Sequence, residues 1–238
     1  MDRLKHGPAN IEPEKRLAVL ANAVADAKAL MTRGEHETDE GAHSTVAAEQ
    51  VDRIIQGWPE AAQMGVRQMV LQYGPPNEGT PTKLLWFDRA PWKRIQVTGD
   101  EVVHRFPTPH ADFLTQYIEY EVPLDKLGDL GRYDGSCLVD RTMGEAAARC
   151  DSEAANILTL NLMHEIVTGT RGVDDARAFY SETLAAYCLG ESAPYCEQFQ
   201  FEVKRGGLGD PDQPASPGPK ARQATMKVEQ FLSTSGRA

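Results

Sequence analysis

From Pro13 onward the apolar residues Leu17, Leu20, Ala21, Val24, Ala27 and Met31 recur at three- and four-residue intervals, the stripe of one helix face. Gly34 stands where such a helix would stop. The following stretch, Glu35 to His43, is too polar and charged to pack and is expected to be a solvated acidic linker rather than a metal-binding tract. A second helix is expected from Thr45 to Ile55, with Val46, Val51, Ile54 and Ile55 as its apolar positions. A third starts at Trp58-Pro59, carries Ala62, Val66, Met69 and Val70, and ends at Tyr73-Gly74-Pro75-Pro76.

The period then changes from helical to extended. Lys83 to Phe87, Lys93 to Val97 and Glu101 to Arg105 are short and rich in β-formers, and Gly99-Asp100 is the expected hairpin turn between the last two. Phe106-Pro107-Thr108-Pro109-His110 is a stiff loop, because each proline fixes its own φ and biases its predecessor toward extended backbone. Gln116 to Val122 alternates as a strand with one wet face. After a helical turn at Leu124 to Leu130, Ser136 to Cys150 is expected to be a hairpin closed at Met143-Gly144, in which Cys137 faces Cys150 and Asp140 lies diagonal to Arg149. Asp151 is the expected N-cap of a long helix running to Thr168, with Gly169 as its stop, and another helix spans Val173 to Leu189.

In the long helix the apolar residues spread around most of the wheel, so it is expected to be largely buried, with Leu158, Leu162 and Ile166 in the core. Its remaining strip, holding Asn161, His164, Glu165 and Thr168, is expected to face solvent, and Asn156 is expected to tie the helix to a neighbouring backbone. Beyond Val203 eight of the fifteen residues from Gly206 to Lys220 are Gly or Pro, a composition expected to remain flexible. The segment Ala224 to Leu232 behind it places Val228, Phe231 and Leu232 on one helical face, a possible docking segment. The expected organisation is an N-terminal helix with acidic linker over 1–44, an α+β domain over 45–203 and a flexible tail over 204–238. The domain is read as a small, mostly antiparallel sheet with four or five helices packed against it.

Charge narrows the partners. Twenty-five basic residues against thirty-five acidic ones leave a formal charge of −10, the wrong sign for following nucleic-acid phosphates or an anionic leaflet. Neither nucleic acid nor membrane is an expected partner; a protein partner or self-association remains open. The opening residues Met1 to Pro8 show no apolar leader core, and a cytoplasmic location is expected. The four cysteines, Cys137, Cys150, Cys188 and Cys196, form no CxxC and have no histidines at zinc-finger distances, so no metal site and no cofactor is expected.

The candidate chemistry lies in two places. Trp86 to Asp112 gathers Trp92, Lys93, Arg94, His104, His110 and Asp112 around proline-stiffened loops, a composition suited to a small-molecule or peptide site. The strip on the long helix offers Asn161, His164 and Glu165, where an adjacent His-Glu can serve as base and orienter but lacks the HExxH spacing of a zinc protease. Trp92, Arg94 and Asn161 are the candidate ligand-binding residues; His104, His110, Asp112, His164 and Glu165 are the candidate catalytic ones.

The order Trp58-Pro59-Glu60, Tyr73-Gly74-Pro75-Pro76-Asn77-Glu78, Pro91-Trp92-Lys93-Arg94, Phe106-Pro107-x-Pro109-His110 and Asp134-Gly135-Ser136 through Arg149-Cys150-Asp151 resembles a group of uncharacterised bacterial proteins, over about residues 56–190. The resemblance implies a bacterial, intracellular context and assigns no catalytic residue. Pro59 to Arg105 is also similar to modules of β-lactamase-inhibitor-like and outer-membrane lipoprotein folds, although the chain is read as lacking a lipoprotein signal. Two function classes follow: a non-enzymatic binding or assembly module, or an enzyme acting on a small molecule through a His/Asp/Glu site. Convergence of three of the five catalytic candidates in one concave pocket would favour the enzyme.

Overall fold

The computed structural model describes residues 11–35, 44–206 and 209–235, which fall into two units, one formed by the terminal segments and one by the chain between them. Most of the acidic linker, residues 36–43, and the opening residues lie outside the described part. Helix α1 spans Pro13–Arg33; Gly34 takes the left-handed conformation (φ 72°), and its N–H reaches the Met31 carbonyl.

The central unit begins with α2 (Ala48–Ile55) and α3 (Glu60–Tyr73). Helix α2 starts three residues later than its periodicity suggests because the preceding chain is stitched to the turn after α3. Val46 N donates to Pro76 O (2.8 Å), and Asn77 Nδ2 to Ser44 O (2.7 Å). Six strands follow: β1 (Glu78–Thr80), β2 (Lys83–Arg89), β3 (Trp92–His104), β4 (His110–Glu119), β5 (Cys137–Asp140) and β6 (Glu145–Cys150). They form one antiparallel sheet in the order β1-β2-β3-β4-β6-β5. A 3₁₀ turn at Leu124–Lys126 and α4 (Leu127–Tyr133) connect β4 to β5; α5 (Glu153–Thr168), α6 (Val173–Cys188) and the short α7 (Pro194–Glu197) follow the sheet. The α+β class expected from helices segregated from hairpin-joined strands is the one observed. No helix among the described residues is long and apolar enough to cross a membrane.

Three local expectations are corrected. Gly99-Asp100 is not a hairpin turn: β3 runs unbroken through it, and the register against β4 shifts between Val97 and Val102. The glycine serves a close approach instead, since a Cβ there would lie 2.8 Å from the Trp58 indole, which is held by its bond to Pro81 O (3.0 Å). The β5–β6 hairpin closes over four residues rather than two. Asp140 Oδ1 accepts from Met143 N (3.0 Å) and Gly144 has φ 61°, so the chain turns from Arg141 and Cys137 pairs with Ala148. Cys150 runs past β5 and pairs with Leu114 of β4. Finally, α5 is capped by Ser152, whose Oγ accepts from Ala155 N, and not by Asp151.

The core lies between the sheet and its helices. Trp86, Trp92, Ile95, Leu114 and Ile118 of the sheet, Val66 and Met69 of α3, and Leu158, Leu162 and Ile166 of α5 are all buried. Asn156 is fully buried and joins helix to sheet, as expected, donating to Leu114 O (3.2 Å) and Gln116 Oε1 (2.9 Å). Where α3 and α5 meet, the Glu153 carboxylate accepts from Gln72, Tyr73, Trp92 and Gln116.

Part of the segment read as a flexible tail is helical: α8 spans Pro219–Ser235. Val228 and Leu232 bury against Ala21 of α1, with Leu17, Val24, Ala25 and Phe231 around them. The apolar face read from the sequence thus has its partner within the same unit.

Candidate active site at the end of the sheet

His104 is the last residue of β3 and His110 the first of β4, and the two are direct register partners across the end of that hairpin. Asp112 follows His110 by two, which returns its side chain to the same face. The strand order then brings in residues far away in sequence. Asp134 and Ser136 arrive from the turn between α4 and β5, and Arg149 and Cys150 from the end of β6, which pairs with β4.

The Asp112 carboxylate has no exposed surface and stands at the centre. Its Oδ1 lies 3.1 Å from His110 Nε2, and its Oδ2 is 3.7 Å from His104 Nδ1 and 3.6 Å from Arg149 Nε. Ser136 Oγ donates to Oδ2 (2.5 Å). The far nitrogens of both imidazoles are anchored: His110 Nδ1 against Thr108 O (2.7 Å), His104 Nε2 beside Asp134 Oδ1 (3.4 Å). Asp134 Oδ1 also accepts from Ser136 N (2.7 Å). Cys150 Sγ sits 3.3 Å from His110 Nε2 and 4.0 Å from the Tyr180 hydroxyl. Phe106 packs on Tyr180 and beneath the Arg177 guanidinium, which donates to Tyr133 O, walling one side.

Electrostatics follow from this packing. Burial alone would raise the Asp112 carboxyl, but the bonds from His110 and Ser136 and the nearby His104 outweigh it and hold it below the usual carboxylate range. His110, between Asp112 and the Cys150 sulfur, is pushed up to about 11. Burial raises the Asp134 carboxyl and keeps Cys150 a thiol at neutral pH. Despite the crowding, His104 Nδ1 and Arg149 Nε are buried without a hydrogen-bond partner, standing 3.7 and 3.6 Å from Asp112 Oδ2.

Only three of the five catalytic candidates meet here. His164 stacks on Phe201 (4.2 Å between centroids) and bonds Tyr120 OH (2.8 Å); Glu165 pairs with Arg171 (2.5 Å) and accepts from Tyr195 OH (2.7 Å). Of the strip expected to face solvent, Thr168 is exposed, whereas Asn161 is buried and His164 and Glu165 are half-buried under residues 194–203. Asn161, in the same strip, is buried; it donates to Tyr195 O and Gln198 O and accepts from Gln200 N, which pins that segment down. Trp92 is buried with its Nε1 on Tyr73 OH (2.9 Å), and Arg94 pairs with Glu145 (2.6 Å) and lies over the Tyr117 ring. These three ligand-binding candidates hold the fold together. Asp134, Ser136, Arg149 and Cys150 join this site from elsewhere in the chain, although the sequence pattern pairs Arg149 with Asp140 and Cys150 with Cys137. The Asp134-Gly135-Ser136 turn was a visible local signal, but nothing local says what it faces. No protein-family model, no curated protein and no solved structure matches this chain.

Proposed function

We propose that the central unit is an enzyme acting on a small molecule, with its reacting centre at the sheet end where His104, His110 and Asp112 meet. One observation carries this reading: two imidazoles converge on a fully buried carboxylate while polar atoms of the cluster remain without hydrogen-bond partners. A group buried in that state costs about 1–3 kcal/mol, and sequences retain such costs where function requires them. Two ring nitrogens and a carboxylate at one point can move a proton or activate a water. His104 and His110, each about one-sixth exposed (17% and 16%), give the centre access to solvent.

The test is to incubate the full chain with a small-molecule extract of its source cells and follow the composition by mass spectrometry, beside the Asp112→Asn variant. Consumption of one or a few compounds by the wild type alone is the expected result. Identical time courses for the two proteins overturn the reading.

A second reading, a binding or assembly module, is favoured by one feature: an apolar groove of about 550 Å³ along α2 and α3, lined by Val46, Val51, Ile55, Val66, Val70 and Leu71. Leu71 is 89% exposed. If the groove is an interface between copies, Leu71→Glu will lower the mass found by sedimentation equilibrium.

A further inference from the structure

We propose that the cluster is a binding site for a divalent transition metal of the zinc class, held by His104 Nδ1, His110 Nε2 and an oxygen of Asp112. The inference rests on the reading of this cluster as the reacting centre and says what that centre holds.

One donor atom from each of the three residues lies within 4.8 Å of the other two; His110 Nε2 is 3.1 Å from Asp112 Oδ1, and His104 Nδ1 is 3.7 Å from Asp112 Oδ2. Ligands about 2.0–2.2 Å from a tetrahedral ion stand roughly 3.3 Å apart, so small side-chain rotations close the set around a metal. Two imidazoles and one carboxylate suit zinc and its first-row neighbours rather than calcium or magnesium, which take oxygen ligands.

The outer contacts point the same way. A metal-bound histidine characteristically engages its other ring nitrogen with a carboxylate or a carbonyl, which sets the tautomer and aims the free lone pair at the ion. His104 has Asp134 in that position and His110 has Thr108 O. The carboxylate of Asp112 is oriented in turn by Ser136 Oγ. The donor set faces inward beside Arg149 Nε, 3.6 Å from Asp112 Oδ2, and Cys150 Sγ, 3.3 Å from His110 Nε2, and one of its atoms, His104 Nδ1, is buried with no hydrogen-bond partner. Asp112 has no exposed surface, and its Oδ1 lies against His110 Nε2, the neighbouring donor of the set, at 3.1 Å. A cation at this point satisfies His104 Nδ1 and takes the place of the proton between His110 Nε2 and Asp112 Oδ1. The partly exposed imidazoles supply its entry path.

The experiment uses the full chain, stripped by chelator and titrated with zinc alone at neutral pH against a chromophoric competitor. One equivalent is expected to bind, with release to solvent of the proton held between His110 Nε2 and Asp112 Oδ1. His104→Gln and His110→Gln are expected to weaken binding at least a hundredfold, and Asp134→Asn, which touches only the outer contact, about ten- to a hundredfold. His164→Gln, outside the cluster, is expected to leave zinc affinity unchanged. Because a variant in the cluster may unfold, the wild type carries a second readout: nitrogen chemical shifts of the imidazoles should move at His104 Nδ1 and His110 Nε2 on adding zinc. No stoichiometric binding, or shifts confined to other histidines, overturns the proposal. In that case consumption of a compound in the extract assay would still support a metal-free reacting centre. Zinc binding without any consumption would leave the metal site standing and remove the enzyme.

Discussion

Asn156 and His164 both lie on α5, yet burial acts on them differently. Asn156 spends its amide on one backbone carbonyl and one side-chain oxygen inside the core. Asn156→Ala strands both acceptors where water does not reach, so a loss of about 1–3 kcal/mol is expected in urea unfolding. A loss under about 0.5 kcal/mol would show that the core relaxes around the gap. His164 is stacked on Phe201 and bonded to Tyr120, with Glu165 beside it and Glu119, Glu121, Glu202 and Lys204 around the adjoining cavity. Burial holds its imidazole below the ordinary value, against the opposing pull of Glu165. As pH falls through about 6.5 the unfolded chain takes up a proton that folded His164 still refuses, so His164 makes the protein less stable toward acid. Unfolding free energies measured between about pH 7.5 and 5 should therefore fall more steeply for the wild type than for His164→Gln. Parallel curves would mean that the imidazole titrates freely in the folded state.

For the elements, what matters is which neighbour claims a residue that has two local uses. Gly99 reads as a turn because Gly-Asp closes many hairpins, but here the Trp58 indole claims the space a side chain would need. Gly99→Ala is expected to cost about 1–3 kcal/mol through overpacking and to shift the tryptophan emission. Gly131→Ala in α4, where a Cβ meets open space, should be neutral or slightly stabilising. Equal effects from the two substitutions would contradict the packing account. The same competition explains the β5–β6 hairpin, where the Asp140 side chain claims the Met143 N–H and so sets a four-residue turn.

At the scale of the molecule, the two units have separate cores. The larger draws its buried apolar residues from Val46 to Cys196, the smaller from Ala21, Val228 and Leu232. A chain of residues 44–206 is therefore expected to unfold cooperatively, with a thermal midpoint within a few degrees of the main transition of the full chain. A molten fragment, with helical far-ultraviolet dichroism but no near-ultraviolet signal, would show that the terminal segments are needed for its packing.

Local physics decided what could be read in advance. The three-and-four spacing of α1 and α3, the apolar residues around most of the α5 wheel and the glycine stops at Gly34 and Gly169 are properties of neighbouring residues, so the sequence alone carried them, along with the α+β class. His104, His110 and Asp112 were legible as candidates because they cluster in sequence around a proline-stiffened loop; that His110 and Asp112 belong to one strand, and so share a face, is what the structure adds. Tertiary structure alone decided their company. Sheet order β3-β4-β6-β5 delivers Asp134, Ser136, Arg149 and Cys150 to the same end, and no local pattern encodes which strands become neighbours. It also separated His164 and Glu165 from the cluster, because the chain after α6 folds back over α5 and is pinned there by Asn161. Hydrogen bonds and burial between distant segments, rather than propensity, made one cluster a site and the other a joint.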